Sequence, residues 1–441
     1  MKQPQPRRSS QRNSRRSFLK TSAALAGAAV AANLSAPRGV HAAGSDILKI
    51  GLVGCGGRGT GAVANAFEAD PQTRLTAVGD AFDDQAQRAV KLLAEKYPER
   101  VAVDAEHRFA GFDACQKVIA SGVDVVLLAT TPHFRPLHLR ACVEAGKHVF
   151  AEKPLAVDAP GVRSVMATCE NAKQRGLSVV SGFMNRHDAA IKETMQRVRD
   201  GAIGRIVALQ ETYNVGPPWF RNRDRQAGWT EMEYQIRNWY PFTWLSGDHN
   251  VEQHIHSLDK AAWAMGDEPP QSAWGSGGRQ VRSEITLGQI FDHHCVTYEY
   301  ADGVRLYSHC RRQAGCDNDV SDIFLGTRGV CDLSKGRIEG ENPWRYQGPR
   351  NNSFVAEHEA LFASIRAGRP INDGLHMTRS TLLAILGRMA TYTGKRLTWD
   401  EAFNSQEDLS PQRYAWDADP PVLPDKNGQY PMAIPGVTRF L

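Results

Sequence analysis

A glycine-rich turn directly after an apolar strand is the feature that most constrains how this 441-residue chain can fold. Residues 47–53 are mostly apolar, which predicts a buried strand, and residues 60–67 suit a helix. In a G-x-G-x-x-G turn the first glycine permits the tight bend and the second lets the backbone approach a pyrophosphate. The third lets helix and strand pack closely, and the helix N-terminus faces the anion. We therefore predict a dinucleotide-binding turn formed by Gly54, Gly56, Gly57, Arg58 and Gly59.

An acidic residue follows the second predicted strand, at the position that distinguishes NAD from NADP in dinucleotide-binding folds. The strand at residues 75–79 leads into Asp80, which lies 21 residues beyond Gly59. A carboxylate there accepts hydrogen bonds from ribose hydroxyls and repels a 2′-phosphate, so we predict NAD in preference to NADP. Arg58, beside the turn, leaves NADP as an alternative. A plain strand-end turn residue is the other interpretation of Asp80.

Two further predicted strands end in polar residues. Residues 123–129 are typical of a buried parallel strand, and residues 147–151 form the next one after a helix closed by Gly146. Ligands of open α/β sheets bind at the carboxyl ends of the strands, so the residues that follow these strands are candidate cofactor contacts. The candidates are Thr130, Pro132, His133, Glu152 and Lys153.

The net charge of +5 is concentrated at the N-terminus. Residues 1–43 carry eight basic side chains and no acidic one, and the rest of the chain has 45 basic and 48 acidic residues. A body that is slightly acidic disfavours nucleic acid as a partner.

The same 43 residues have the pattern of a twin-arginine (Tat) signal peptide. Arg15 and Arg16 precede Phe-Leu-Lys, a short Ala-rich run occupies residues 21–34, and an Ala-x-Ala-like cleavage region lies at 41–43. The run is too short to span a bilayer. We predict export by the Tat machinery to the periplasm or cell exterior, with no stable membrane span after cleavage. A disordered basic tail is the alternative.

A segment rich in aromatic and arginine residues, 213–244, is a candidate substrate surface. Trp219, Trp229 and Trp239 alternate there with arginines such as Arg221, and Tyr234 lies among them. Aromatic faces beside planar donors suit a carbohydrate, which presents C–H faces and hydroxyl rims. A loop packed by its own aromatics is an equally weighted interpretation, and RNA stacking fits the composition but not the acidic body.

The segment 249–259 contains the candidate acid–base chemistry. If it is helical, His249, Glu252, His256 and Asp259 share one face. We predict that Lys153 polarises the substrate oxygen and relays a proton, that His256 is the general base, and that Glu252 orients it or binds a hydroxyl.

A metal-dependent hydrolase is a competing interpretation of the same segment. His254 and His256 would share one face of a strand and bind a metal ion together with further side chains. The partner ligands would be drawn from His249, Glu252, Asp259, His293 and His294. The spacing matches no established zinc motif, so we predict no metal, and structural roles for both imidazoles are the other interpretation.

The cysteines show no metal or redox motif. No two of the eight cysteines have C-x-x-C spacing, and Cys310 is near enough to Cys316 for a disulfide if the loop permits.

Taken together, these motifs resemble the Gfo/Idh/MocA oxidoreductase family over residues 46–400. The resemblance depends on the glycine turn, the strand ending at residues 130–132, and Ala-Gly-Lys-His-Val at 145–149 leading into Glu-Lys-Pro at 152–154. The family's Asp-x-Gly-x-His-x-x-Asp-like segment corresponds to residues 252–259, with Glu252 in place of Asp and His254 in place of Gly. These two departures affect the substrate and the proton-transfer roles.

The resemblance implies an α/β fold in two parts. A doubly wound parallel Rossmann sheet, at residues 46–165, would bind NAD. Residues 166–400 would form an α/β domain with an open-faced, mostly antiparallel sheet, through which the protein would form a homo-oligomer, and residues 401–441 a surface tail. The expected substrate contacts are His254, Asp259, Arg186, Trp239 and Tyr234.

The predicted function is an exported NAD(P)-dependent oxidoreductase acting on a hydroxyl of a sugar, polyol or glycoside. Because export removes an enzyme from the cytoplasmic nicotinamide pool, we expect the cofactor to be tightly held and recycled in place. A redox-neutral glycosidase is the first alternative: transient oxidation at C3 would acidify the C2 proton and allow elimination of the aglycone. The metal hydrolase and a non-catalytic sugar-binding protein rank lower.

Overall fold

Two β-sheets of different construction organise the chain in this computed structural model, which describes residues 47–217, 223–281 and 288–440. The predicted signal peptide at 1–43 lies outside the described residues, and so do Trp219 and Arg221 of the aromatic segment. Within the described part, no helix combines the length and apolar character that crossing a membrane requires.

The first sheet has six strands, all parallel, in the spatial order 3-2-1-4-5-6. This is the order of a doubly wound dinucleotide-binding sheet. Its central strands are apolar along their whole length because helices cover both faces, as the fully buried strand at residues 125–128 illustrates. The predicted Rossmann fold is therefore confirmed. The strands are β1 Leu48–Val53, β2 Thr73–Asp80, β3 Arg108–Ala110, β4 Val125–Leu128, β5 His148–Ala151 and β6 Val179–Ser181.

Helices connect these strands and begin and end at recognisable signals. The Asp158 carboxylate caps one of them by accepting the Gly161 N–H, and Pro160 occupies its first turn. The connecting helices are α1 Gly57–Ala69, α2 Asp83–Lys96, α3 Ala114–Ala120, α4 Arg135–Glu144 and α5 Ala159–Gln174.

The second sheet has nine strands in the order 14-13-12-11-7-10-9-8-15. Neighbours are antiparallel except for the parallel pair formed by residues 206–215 and 305–312. Its strands are β7 Ile206–Val215, β8 Ser272–Gly278, β9 His293–Glu299, β10 Arg305–Arg312, β11 Asp319–Gly326, β12 Gly329–Asp332, β13 Arg337–Gly340, β14 Trp344–Arg345 and β15 Leu397–Thr398.

Helices of the second half pack on one face of this sheet and on the first sheet. They are α6 Ala189–Arg199, α7 Glu231–Arg237, α8 Thr243–Ser246, α9 His249–Glu252, α10 Ile255–Ala264, α11 Ser353–Arg366, α12 Gly374–Thr393 and α13 Trp399–Asn404. Helix α12 lies against β8 and β9, and α10 lies against β7. On the other face Tyr307, Leu325 and Val330 are exposed. The open-faced, mostly antiparallel sheet expected from the resemblance is thus confirmed.

The first sheet extends past the boundary expected at residue 165. That residue lies inside α5, and β6 joins the sheet only at residues 179–181. Helix α11, far along the chain, also returns to pack on α1 beside the glycine turn. Cys310 is buried, Cys316 is exposed, and the two are not bonded to each other.

Candidate functional site

A cavity of about 690 Å³ opens at the carboxyl ends of the parallel strands, between the first sheet and helices of the second half. Its size is that of a typical cofactor or substrate site. From the first half it is lined by Gly54, Gly56, Gly57, Arg58, Gly59, Asp80, Ala81, Phe82, Gln85, Arg88, Ala129, Thr130, Thr131, Phe134, Arg135, Glu152, Lys153 and Gly182. From the second half it is lined by Arg223, Ile236, Arg237, Trp239, Glu252, Gln253, His256 and Phe354.

The glycine turn forms a backbone-lined phosphate cradle. A Cβ on Gly59 would lie 1.9 Å from the carbonyl oxygen of Gly54, so only glycine lets α1 approach β1 this closely. Gly56 has the opposite surroundings, because no atom lies within 4 Å of its Cβ position and the space belongs to the cavity. Helix α1 starts at Gly57, so its unpaired N–H groups face that space. The cradle fits the pyrophosphate of NAD.

Asp80 stands at the end of β2, on the rim of this cradle. Its Oδ2 accepts the Cys55 N–H at 2.6 Å and its Oδ1 accepts the Phe82 N–H at 3.0 Å. These bonds fix the carboxyl group beside the turn, and its remaining lone pairs are available for ribose hydroxyls. Burial raises the pKa of Asp80. These acceptor oxygens therefore suit the hydroxyl donors of the adenosine ribose of NAD.

The Arg58 side chain contacts Glu152, another predicted cofactor contact at this edge of the sheet. Its Nε donates to Glu152 Oε1 at 2.5 Å, and its guanidinium lies 4.8 Å from the Phe354 ring centre. Glu357, fully buried behind it, lies 3.9 Å from Nη2. Arg58 thus joins the glycine turn to the end of β5 and to α11.

Lys153, Glu252 and His256 meet on the floor of the cavity. The Lys153 ammonium donates to the Glu252 backbone oxygen at 2.6 Å and lies 3.2 Å from its Oε1. Burial, and then the charge of Lys153, holds the pKa of His256 well below its ordinary value, so this imidazole is neutral near pH 7. His256 Nδ1, Glu252 Oε2 and Gln253 Oε1 are buried without a hydrogen-bond partner in the described structure. Three polar atoms are therefore available to a ligand that enters the cavity.

The single helical face expected over residues 249–259 does not form. Helix α9 ends at Glu252, and α10 begins at Ile255, so the chain changes direction between them. His249 turns toward Asp248, with Nδ1 2.9 Å from Oδ1. Asp259, on the same helix as His256, binds Arg186 and accepts the Ser380 hydroxyl at 2.7 Å. The prediction was wrong because a break between two short helices separates residues that one continuous helix would align.

Four expected substrate contacts do not reach the cavity, and Trp239 does. His254 is buried against the second sheet, where its Nε2 lies 2.7 Å from Ser308 Oγ. Arg186 forms a buried ion pair with Asp259 and also pairs with Asp267. Tyr234 stacks under the Arg225 guanidinium at 4.1 Å. Each of these side chains contacts other parts of the protein and does not line the cavity, which corrects their expected role to a structural one.

Two expected cofactor contacts are also displaced. Thr130 and Thr131 line the cavity, but Pro132 and His133, which follow them, are buried and do not line it. His133 Nε2 lies 2.8 Å from Tyr414 Oη, and burial lowers the pKa of His133 to about 4. The metal pair His254 and His256 is not assembled either, because the two imidazoles face the sheet and the cavity respectively.

Several lining residues were missed from the sequence. Arg135 is buried and donates to the Pro154 oxygen at 2.6 Å, and burial lowers its pKa to about 10. Phe354 arrives from α11, which carries no local signal of a site. Arg223 and Arg237, by contrast, belong to the predicted substrate surface at 213–244, and both line the cavity.

Comparisons with known proteins agree with this geometry. Residues 48–182 match the model of the Gfo/Idh/MocA family, described as an oxidoreductase family with an NAD-binding Rossmann fold. An inositol 2-dehydrogenase of Klebsiella pneumoniae is 31% identical over 65% of this chain and 74% of its own length. A myo-inositol 2-dehydrogenase of Thermotoga maritima is 25% identical over 67% and 75%.

The fold is also found in solved structures. An aldose-aldose oxidoreductase of Caulobacter crescentus, complexed with glycerol, superposes with a TM-score of 0.62 at 20% identity, covering 80% of this chain and 99% of that one. The parallel sheet, the glycine cradle and the relatives lead to one assignment. The chain belongs to the Gfo/Idh/MocA family of NAD-binding oxidoreductases.

Proposed function

We propose that this protein oxidises a secondary alcohol of a sugar or polyol to the ketone, or reduces such a ketone to the alcohol. The observation that carries the proposal is the meeting of the Lys153 ammonium with the buried, unpartnered atoms of His256, Glu252 and Gln253 in the cavity that holds the glycine cradle. The named activities of the relatives, inositol 2-dehydrogenase and aldose-aldose oxidoreductase, support the same substrate class.

Each residue of this group has a distinct task. NAD, when bound, supplies the acceptor or donor of hydride. The Lys153 ammonium donates a hydrogen bond to the reacting oxygen and stabilises the negative charge that develops there. Neutral His256 accepts the hydroxyl proton at Nδ1, a role that the imidazolium form could not perform. The Glu252 carboxylate holds Lys153 in place and accepts a neighbouring hydroxyl.

The rest of the substrate wall suits a polyhydroxylated ring. The Gln253 amide oxygen and Glu252 Oε2 accept hydroxyl protons, and the Trp239 indole offers an apolar face to ring C–H groups. A purely apolar substrate would leave these buried oxygens without partners, which costs about 1–3 kcal/mol each.

The test is a substrate panel run with the purified protein. We expect reduction of NAD, or oxidation of NADH, with inositols or aldoses, and loss of this activity in Lys153→Met. Release of phenol from aryl glycosides without net change in NAD would instead favour the redox-neutral glycosidase. Binding of sugars without turnover would leave only the binding-protein alternative.

The second part of the proposal is that the cofactor is retained through the catalytic cycle. Near Asp80, helix α7 and the C-terminal segment pack on Phe82, which lines the cavity. Arg237 of α7 places its guanidinium 3.7 Å from the Phe82 ring centre, and Trp416 of the C-terminal segment packs on the same ring at 5.2 Å. Absorbance and mass spectrometry of the small molecules released on denaturation test this. Stoichiometric NAD or NADH is expected, and an empty site that does not bind added NAD would overturn it.

Export and assembly complete the proposal. The twin-arginine pattern supports export, and Arg15→Lys with Arg16→Lys should leave the protein in the cytoplasm of a Tat-competent host.

The exposed Tyr307, Leu325 and Val330 on the open sheet face support a homo-oligomer. Leu325→Glu should then reduce the mass measured by light scattering, and an unchanged mass would reject this face as the interface.

A further inference from the structure

A buried cluster separate from the NAD cavity carries a donor set that the proposed function does not use. Asp248 Oδ1 lies 2.9 Å from His249 Nδ1 and 3.3 Å from His294 Nε2. The three ligand atoms lie within 4.8 Å of one another, and all three side chains are buried. None of them lines the NAD cavity.

The partners of His294 decide which of its nitrogens carries a proton. His294 Nδ1 lies 2.9 Å from Thr391 Oγ1, and the Thr391 hydroxyl donates to the Arg388 backbone oxygen at 2.9 Å. The hydroxyl proton is thus already used, so Thr391 accepts and His294 Nδ1 donates. In the neutral ring, Nε2 is then a bare lone pair that faces the Asp248 carboxylate.

The same reasoning applies to His249. Its Nε2 lies 3.4 Å from Cys310 Sγ, and the Cys310 thiol donates to Asn250 Oδ1 at 3.5 Å. The Asn250 amide is held in this orientation because its Nδ2 donates to the Ala384 oxygen at 2.8 Å. The sulfur therefore accepts from Nε2–H, and Nδ1 is left as a lone pair directed at Asp248.

Two imidazole lone pairs consequently converge on a carboxylate oxygen whose only proton donor among the described residues is the His249 backbone N–H, at 2.5 Å. Both nitrogens lack a hydrogen bond of acceptable geometry in the described structure, although the side chains are at most 1% exposed. Like-signed acceptors buried together repel each other unless a cation lies among them.

We propose that Asp248, His249 and His294 bind a divalent zinc ion. Two imidazole nitrogens and one carboxylate oxygen are a donor set that zinc prefers. The surroundings have the outer shell that such sites require, because each imidazole is held at its other nitrogen. The second carboxylate oxygen, Oδ2, is occupied by the Tyr392 hydroxyl at 2.6 Å and the Phe291 N–H at 3.0 Å. Oδ1 is thereby turned toward the imidazoles.

The backbone supports this assignment. Asp248 has φ +77° and ψ +161°, a region that non-glycine residues rarely occupy. This conformation brings the Asp248 carboxylate to the imidazoles at the start of α9. The ion joins α9 to β9, and α9 ends at Glu252, the residue that contacts Lys153. Zinc would therefore act as a structural tie that positions Glu252.

The experiment uses the full-length protein, purified without an affinity tag or chelator, and measures metal by mass spectrometry. We expect about one zinc ion per chain in the wild type. His294→Gln and Asp248→Asn should lose the ion. Two controls should retain it: His293→Ala, at the half-exposed neighbouring residue, and His254→Gln, at a buried imidazole outside the cluster. Metal-free wild type that takes up neither zinc nor cobalt would overturn the proposal and indicate a protonated imidazole beside Asp248 instead.

A measurement on the wild type alone covers the case in which the variants fail to fold. X-ray absorption at the zinc edge should show two imidazole ligands together with oxygen. A sulfur ligand, or zinc retained at full occupancy in a folded His294→Gln protein, would place the ion elsewhere. Absence of zinc would overturn this proposal and leave the proposed oxidoreductase chemistry standing, because none of the three ligands lines the NAD cavity.

Discussion

The two walls of the NAD cavity present different chemical groups to a ligand. On the first-half side, the glycine turn and the start of α1 form a backbone wall, and side chains such as Asp80 and Lys153 line the strand ends beside it. The wall of the second half consists of side chains from short helices, among them Trp239, Glu252 and His256. A backbone wall recognises the part of a ligand that does not vary, here a pyrophosphate. A side-chain wall can change with the substrate at no cost to the fold.

The largest expected effect concerns the Lys153 ammonium, which belongs to the first half and contacts Glu252 of the side-chain wall. Lys153→Met removes the donor to the reacting oxygen, and we expect kcat to fall about 10²–10³-fold. NAD should still bind, because the glycine cradle is untouched. Steady-state kinetics and titration with NAD measure the two effects separately.

Lys147 provides the matched control, since it precedes β5 as Lys153 follows it and does not line the cavity. Lys147→Met should keep its kcat. Equal losses in both variants would mean that a change in β5, and not the missing ammonium, lowers the rate.

The backbone wall should respond differently at two glycines of the same turn. In Gly59→Ala the added Cβ meets the Gly54 oxygen at 1.9 Å, so we expect a loss of about 1–3 kcal/mol in the free energy of unfolding. In Gly56→Ala the methyl group enters open cavity space, so stability should be kept while NAD affinity falls. Urea unfolding and NAD titration of both variants provide the measurement. A Gly56→Ala protein with unchanged affinity would show that the pyrophosphate lies elsewhere.

These two walls also explain how much could be predicted from the sequence. The glycine turn, Asp80 and the strand ends depend on neighbours in the chain, so local spacing predicted the first sheet and half of the cavity residues that the first half contributes. His254 and Asp259 lie within a few residues of His256, yet their directions depend on the break at residues 253–254 and on partners such as Ser308. Phe354 reaches the site only through the packing of α11 on α1. Such contacts are set by tertiary structure, which residue spacing does not encode.

Buried imidazoles occur in both halves, so pH offers a further comparison. Burial lowers the pKa of His138 to about 4 and that of His254 to about 3. Because both folded-state values lie below the ordinary value of 6.5, the unfolded chain binds more protons at acidic pH. The stabilising contribution is complete above pH 6.5 and decreases as the pH falls from there, by up to about 1.4 kcal/mol per pH unit for each group.

The corresponding experiment follows the urea midpoint from pH 7 to pH 5. His254→Gln should weaken the pH dependence relative to the wild type, and so should His138→Gln. His293→Gln, at a half-exposed imidazole that lies 2.7 Å from Asp292, is the comparison variant and should keep the slope. Identical slopes in all four proteins would show that other groups determine the acid sensitivity.

The smallest expected effect concerns the place where the C-terminal segment covers the backbone wall. Trp416 packs on Phe82, which lines the cavity, and on Phe112 at 4.5 Å. An aromatic pair contributes about 0.5–1.5 kcal/mol, so Trp416→Leu should speed NAD dissociation about 2–10-fold. Leu423→Ala, at an exposed position farther along the same segment, should leave the rate unchanged. Stopped-flow release of NADH measures both. If Trp416→Leu releases NADH at the wild-type rate, the C-terminal segment does not retain the cofactor, and retention must come from the glycine cradle and α7.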